Sequence, residues 1–205
     1  IKYLAIISMI IDHIAVVFLD ENIALRFIGR FSFIAFSYLL AYHYRFHTHD
    51  QERYKLRLLI FAIISQVPYS LIFGVQLNIF FLLWFGLVMI DTIEMVRMRE
   101  QVLYPTIITS VALILTYWEG YFIFGLYMIP LFYYLHDNIK IFPFVLLNIM
   151  LLNFSIIFAI AAAISLLIIY HIDTDIRINK INKYYFYAFY PVHLIALYKM
   201  HELML

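Results

Sequence analysis

Long apolar runs alternate with short polar interruptions along the whole chain, and the interruptions are the informative marks. A membrane-crossing helix needs about 20 apolar residues, slightly fewer where the bilayer thins. On that measure the sequence divides into nine segments, at about residues 3–19, 24–42, 56–73, 78–95, 102–118, 121–136, 141–152, 154–171 and 184–202, with ends good to about 2–4 residues. The runs are continuous, whereas a lipid-facing β-barrel would alternate apolar and polar positions over segments of about ten residues. The predicted fold is therefore all-α. It is a polytopic integral membrane helical bundle of about nine transmembrane or partly re-entrant helices, forming one domain over residues 1–205.

Composition excludes the alternative of a soluble domain. Of 205 residues, 66% are hydrophobic and only 13% are charged, about half the charged share of an ordinary globular chain. A net charge of +1 gives no basic face for nucleic acid, and the lack of cysteine removes disulfides, thiol nucleophiles and thiolate metal sites from consideration. The sparse charges instead carry orientation. Arg45, Arg53, Lys55 and Arg57 cluster between segment two and the start of segment three, Arg97 and Arg99 follow segment four, and Lys140 precedes segment seven. The connections near Asp20-Glu21-Asn22, Gly74 to Leu77 and Glu119-Gly120 hold no Lys or Arg. The positive-inside rule then puts the N-terminus in the cytoplasm. The stretch Ile141–His171, 31 residues, is long for one span and short for two. Two segments keep Arg177, Lys180 and Lys183 on the cytoplasmic side and put the C-terminus outside. The first segment does not read as a cleavable signal, since Asp12 and His13 interrupt its apolar run and Asp20-Glu21 follows it. No internal repeat supports a pseudo-symmetric transporter.

Ionisable residues inside the spans are the candidates for chemistry, because each costs a few kcal/mol to insert and is kept for a reason. Asp12 and His13 are adjacent and point about 100° apart on a helix. One can therefore hold a partner on another helix while the other faces a cavity. Arg30, with Arg26 one turn before it, lies about 9 Å below the outer start of segment two, the same depth as His13 below the outer end of segment one. Either arginine could pair with Asp12 to fix helix register, and Arg30 could stabilise an oxyanion near His13. Gln66, before Pro68, and Asn78, opening segment four, are candidate neutral donors to such an oxyanion or hydrogen-bond glue between helices. Tyr190-Pro191-Val192-His193 places a proline beside a second intramembrane histidine.

On the cytoplasmic side His43 and His47 have i,i+4 spacing, yet no second ligand cluster accompanies them, and no metal is expected. The run Arg53, Lys55, Arg57 anchors the inner face and, with Arg45, is a candidate site for phosphate groups of a cytoplasmic cofactor.

Taken in order, these elements resemble the TraX family, whose namesake is the F-pilin acetyltransferase of conjugation systems. The matching stretches are Ile11-Asp12-His13, Ile28-Gly29-Arg30, Tyr54-Lys55-Leu56-Arg57-Leu58, Ser65-Gln66-Val67-Pro68, Leu77-Asn78-Ile79 and Tyr187 to Leu194. The sequence departs from the family pattern near Ile34 and around Tyr42-His43. The resemblance implies a multi-pass protein of the bacterial inner membrane that transfers an acetyl group from acetyl-CoA to a polypeptide amino terminus. It also implies likeness to membrane acyltransferases that modify glycan hydroxyls outside the cell, with a histidine late in the first helix as the catalytic group. On this reading the partners are a CoA thioester, an acceptor peptide or glycan, and the lipid bilayer. His13 acts as general base, His193 as the alternative base or the carrier of an acyl group, and Asp12 orients or balances charge. Arg30, Gln66, Asn78 or Tyr190 assists at the oxyanion or acceptor, and Arg45, Arg53, Lys55 and Arg57 bind the CoA phosphates. Two other classes remain open from the sequence: a small transporter or channel with a buried Asp/Arg/His path, and a non-catalytic partner that grips an apolar helix such as a pilin.

Overall fold

The computed structural model describes residues 1–98, 107, 122–135, 156–171 and 183–204. The described residues form seven helices and no strand: α1 (Lys2–Phe18), α2 (Ile23–Phe46), α3 (Gln51–Phe73), α4 (Ile79–Met98), α5 (Phe122–Tyr134), α6 (Ile156–His171) and α7 (Lys183–Met204). Each coincides with one expected segment. The expected segments at 102–118 and 141–152 lie outside the described residues. Three helices, α2, α3 and α4, are long and apolar enough to cross a membrane, and Ala159–His171 forms a shorter apolar helix.

Burial along α3 fits a lipid solvent. Only 22% of its apolar stretch is buried, and Leu56, Ile60, Ile63, Ile64, Val67 and Leu71 form an exposed stripe down one side. In water a continuous apolar face of this length would drive association or collapse. The helix begins earlier than the apolar run suggests. Asp50 accepts the Arg53 amide at 2.9 Å as an N-cap, so Arg53, Lys55 and Arg57 stand on the first turns of α3. The expected cytoplasmic loop shrinks to four residues between α2 and α3, because α2 likewise continues through Arg45 to Phe46. Long basic side chains extend apolar helices past the hydrocarbon edge in this way, keeping their stems in contact with apolar surface.

The chain divides into two compact units, one comprising residues 1–39 and 135–205, the other residues 40–134. In the first unit α1 and α2 form an antiparallel hairpin. Asp20 and Glu21 take left-handed backbone conformations, with φ of 45° and 57°, and turn the chain back within four residues. Asn22 then starts α2 by accepting the amides of Ala24 and Leu25 at 3.1 and 3.3 Å, which satisfies two of the donors a helix start leaves open. Helix α7 packs against α1 in parallel. Lys2 Nζ lies 3.5 Å from the centre of the Phe186 ring near their starts, and the rings of Phe18 and His201 are 6.1 Å apart toward their ends.

In the second unit α3 and α4 are joined by a turn that opens at Gly74, whose φ of 78° suits a residue without Cβ. Its amide returns to the Ser70 carbonyl at 3.0 Å. Asn78 starts α4 by accepting the Phe80 amide at 3.0 Å. Its Nδ2 donates to the Ala62 carbonyl at 2.7 Å and to Gln66 Oε1 at 2.9 Å. One fully buried side chain thus both caps α4 and ties it to α3.

Candidate active site

The first unit gathers the two histidines expected inside spans. His13, 9% exposed, lies on the buried face of α1 that also carries Ala5, Ser8, Met9 and Ala15. His193, 8% exposed, comes from the middle of α7. His13 Nδ1 and His193 Nε2 are 2.7 Å apart, although 180 residues separate them in sequence. The two rings are within 5° of parallel with centroids 5.0 Å apart. Because the nitrogens approach far more closely than the centroids, the contact lies edge to edge, along the direction of an N–H bond, and the rings are not stacked face to face. The other nitrogen of His193, Nδ1, faces the Phe189 carbonyl oxygen at 3.0 Å, one turn back on α7. The Tyr190 ring is buried beside both, with centroids 6.1 Å from His13 and 5.4 Å from His193.

Asp12 points the other way, toward α2, as expected of neighbouring helix positions. Of the two candidate arginines, Arg26 forms the ion pair, with Nη1 3.0 Å from Asp12 Oδ2, while Arg30, one turn on, acts on Asp12 electrostatically. The equal depths of His13 and Arg30 therefore do not set the partner; the tight hairpin turn does. The other carboxylate oxygen, Oδ1, is buried without a hydrogen-bond partner among the described residues. It sits against Gly29, where a Cβ would overlap the Asp12 side chain. One turn earlier Ser8 Oγ donates to the Ile28 carbonyl at 2.6 Å and accepts the Ser32 amide at 3.2 Å. The Ser32 hydroxyl donates to the Gly29 carbonyl at 2.8 Å. Small residues and these short polar links let α1 and α2 approach closely, the usual means of joining helices where lipid offers no hydrophobic driving force. The register of α1, and with it the position of His13, is set by this seam. Sequence inspection leaves Ser8 and Ser32 unnoticed, although two serines facing each other across a predicted hairpin are a usable signal.

The remaining sequence candidates lie in the second unit. Gln66 is held by Asn78, by Ser70 Oγ at 3.0 Å and by the Gln76 carbonyl at 2.7 Å, so the donors of both amides are engaged within α3, α4 and their turn. Arg45 donates to the Tyr133 carbonyl at 2.6 Å and lies over the Phe46 ring. Arg53 pairs with Asp50 at 2.9 Å and is 82% exposed. Arg57 lies over the Tyr54 ring at 5.7 Å. The Lys55 ammonium is held between Glu52, at 2.7 Å, and Asp91. Asp91 also accepts the hydroxyl of buried Tyr44 at 2.7 Å, and Glu94 accepts that of Tyr134 at 2.8 Å. Asp91, Glu94 and Tyr44 were not among the sequence candidates. Two acids three residues apart at the end of an apolar run are the signal that could have found them. Among the described residues no group of three His, Asp or Glu side chains is arranged to hold a metal.

Comparison with known proteins bears on this geometry. The family model described as "TraX protein" matches residues 1–201. A curated relative, "Probable fimbrial assembly protein FimC, serogroup H1" of Dichelobacter nodosus, is 37% identical over 73 residues, covering 34% of this chain and 30% of the relative. The matched stretch therefore spans less than a third of that protein. No solved structure matches significantly.

Proposed function

The chain belongs to the TraX family, and on that premise we propose that it is a membrane acetyltransferase of pilus biogenesis. It moves an acetyl group from cytoplasmic acetyl-CoA to an acceptor amine, or a hydroxyl, on the extracytoplasmic side of the bacterial inner membrane. The observation that carries the proposal is the buried His13–His193 contact at 2.7 Å, which joins two groups able to exchange protons. His13 is the general base. The acceptor nitrogen attacks the acetyl carbonyl, a C–N bond forms and the C–S bond breaks. The proton taken by His13 passes to the departing CoA sulfur. The Arg30 cation and the Tyr190 hydroxyl are assigned to the developing oxyanion. Arg53, whose pairing with Asp50 is exposed to solvent, and Arg57 are assigned to the CoA phosphates, since Lys55 and Arg45 are held more deeply within their own unit.

Nine crossings with a cytoplasmic N-terminus accompany this reading. The parallel run of α1 and α7 supports an odd number of crossings from one through the other, as nine would give. The fimbrial relative supports a pilus context. The test is purified full-length protein in liposomes with radiolabelled acetyl-CoA, offered pilin-type peptides and glycans, comparing wild type with His13→Ala. Label should appear on an acceptor with wild type alone. Failure to bind CoA together with absence of transfer to any pool would overturn the proposal, and solute flux by the same liposomes would redirect it toward a transporter.

A further inference from the structure

The hydrogen bonds around the two histidines have a direction. A backbone carbonyl oxygen only accepts, so the Phe189 oxygen, 3.0 Å from His193 Nδ1, requires the proton of His193 to be on Nδ1. A neutral imidazole has one N–H, which leaves His193 Nε2 as an acceptor. The nitrogen 2.7 Å away, His13 Nδ1, must then be the donor. His13, with its own single proton committed there, carries its lone pair on Nε2. Reversing the bond between the rings would set the His193 Nδ1 lone pair against the Phe189 oxygen, two acceptors in contact, which leaves a buried polar group unsatisfied at a cost of about 1–3 kcal/mol. The Phe189 carbonyl can serve the ring as well as the helix because a carbonyl oxygen has two lone pairs. Pro191, in the same turn of α7, contributes no amide to the helix ladder.

We infer that His193 is a positioning residue: it fixes His13 in the tautomer whose lone pair is on Nε2, and His13 Nε2 alone is the nitrogen that reacts. When His13 takes a proton on Nε2, both its nitrogens become donors, and the one on Nδ1 already has its acceptor in place and in plane. His193 Nε2 meanwhile is occupied by the His13 proton, so the acyl group is not carried on His193. The sequence leaves either histidine as base or acyl carrier; the chain of contacts from Phe189 to His13 assigns different work to each. The assignment of reactivity rests on the acetyltransferase reading, whereas the tautomers do not.

Two measurements separate the parts. Full-length protein labelled with 15N-histidine and placed in bilayers distinguishes protonated from lone-pair ring nitrogens by NMR, with signals assigned through His13→Ala and His193→Ala. Both rings are expected as the Nδ1–H tautomer. An Nε2–H tautomer at either ring, or a doubly protonated His193, overturns the inference whether or not the protein is an enzyme. In the acetyl-transfer assay, His193→Phe removes the acceptor for His13 Nδ1–H while retaining an aromatic ring, and kcat should fall by about 10–100-fold, the usual cost of losing an outer-shell partner. His193→Gln, whose side-chain carbonyl can accept the same proton, should recover most of that loss, and KM for acetyl-CoA should stay within about twofold of wild type in both, as for a group that touches neither substrate. A His193→Gln protein as inactive as His13→Ala would make His193 itself a reacting group and overturn the inference. Absence of transfer by wild type would instead count against the acetyltransferase reading, with the NMR result still standing.

Discussion

In the first unit, beside the Asp12–Arg26 ion pair, two imidazoles are joined by one in-plane hydrogen bond and ended by a backbone carbonyl, whereas the second unit sets Lys55 against Asp91, with Tyr44 donating to the same carboxylate. The two arrangements satisfy the same rule, that polar groups away from water must be paired, by different means. In the imidazole chain a proton added to His13 leaves the bond between the rings and the bond to the Phe189 carbonyl in place. The charge cluster is closed: each ion is compensated, and adding or removing a proton would undo the pairing. On the proposed reading the first exchanges protons and the second holds helices together.

Four experiments would break or sharpen that contrast. The largest effect is expected from His13→Ala, which should reduce acetyl transfer by about 100-fold to 10,000-fold, the range for loss of a general base, with little change in thermal stability in detergent. Asp91→Ala should do the reverse. It leaves a largely buried Lys55, 12% exposed, without its main counter-charge, and stability should fall by about 3–5 kcal/mol. The paired change Lys55→Met with Asp91→Leu should restore most of that loss. If the restored protein shows a raised KM for acetyl-CoA, Lys55 also meets the donor's phosphates. Next in size is a double-mutant cycle at the α1–α2 seam. Gly29→Ala should impair turnover by forcing Asp12 aside, yet cost almost nothing in an Asp12→Ala background; a coupling of about 0.5–3 kcal/mol is expected for groups in contact, and additive effects would show that Gly29 is not there to admit Asp12. The smallest effect is assigned to Asn78→Ala, a loss of about 1 kcal/mol from the missing cap without change in kcat. A drop in kcat at unchanged stability would return Asn78 to the list of oxyanion donors.

The helices were legible because long apolar runs, of the kind lipid demands at about 20 residues per crossing, mark each of them, although among the described residues only α2, α3 and α4 are long and apolar enough to cross a membrane. Starts and ends were less so. Arg53, Lys55 and Arg57 read as loop residues by hydropathy, but an Asp50 cap carries the helix out to include them. His13 was legible as an intramembrane ionisable group, and His193 by the same rule; that they meet was not, since no local pattern joins positions 180 apart. The choice of Arg26 over Arg30 depended on the geometry of a four-residue turn with two left-handed residues, which spacing alone does not provide. Asp91 and Glu94 escaped notice because they stand near the charged end of α4, where Arg97 makes acids look like ordinary surface.

Drawing one histidine from α1 and the other from α7 also has a consequence for biosynthesis. His13 is made 180 residues ahead of its ring partner, about 10–40 s at usual elongation rates. Throughout that interval the early hairpin can assemble, yet its imidazole lacks the His193 acceptor. On the acetyltransferase reading, a nascent or truncated chain would spend little acetyl-CoA, and competence would arrive together with α7.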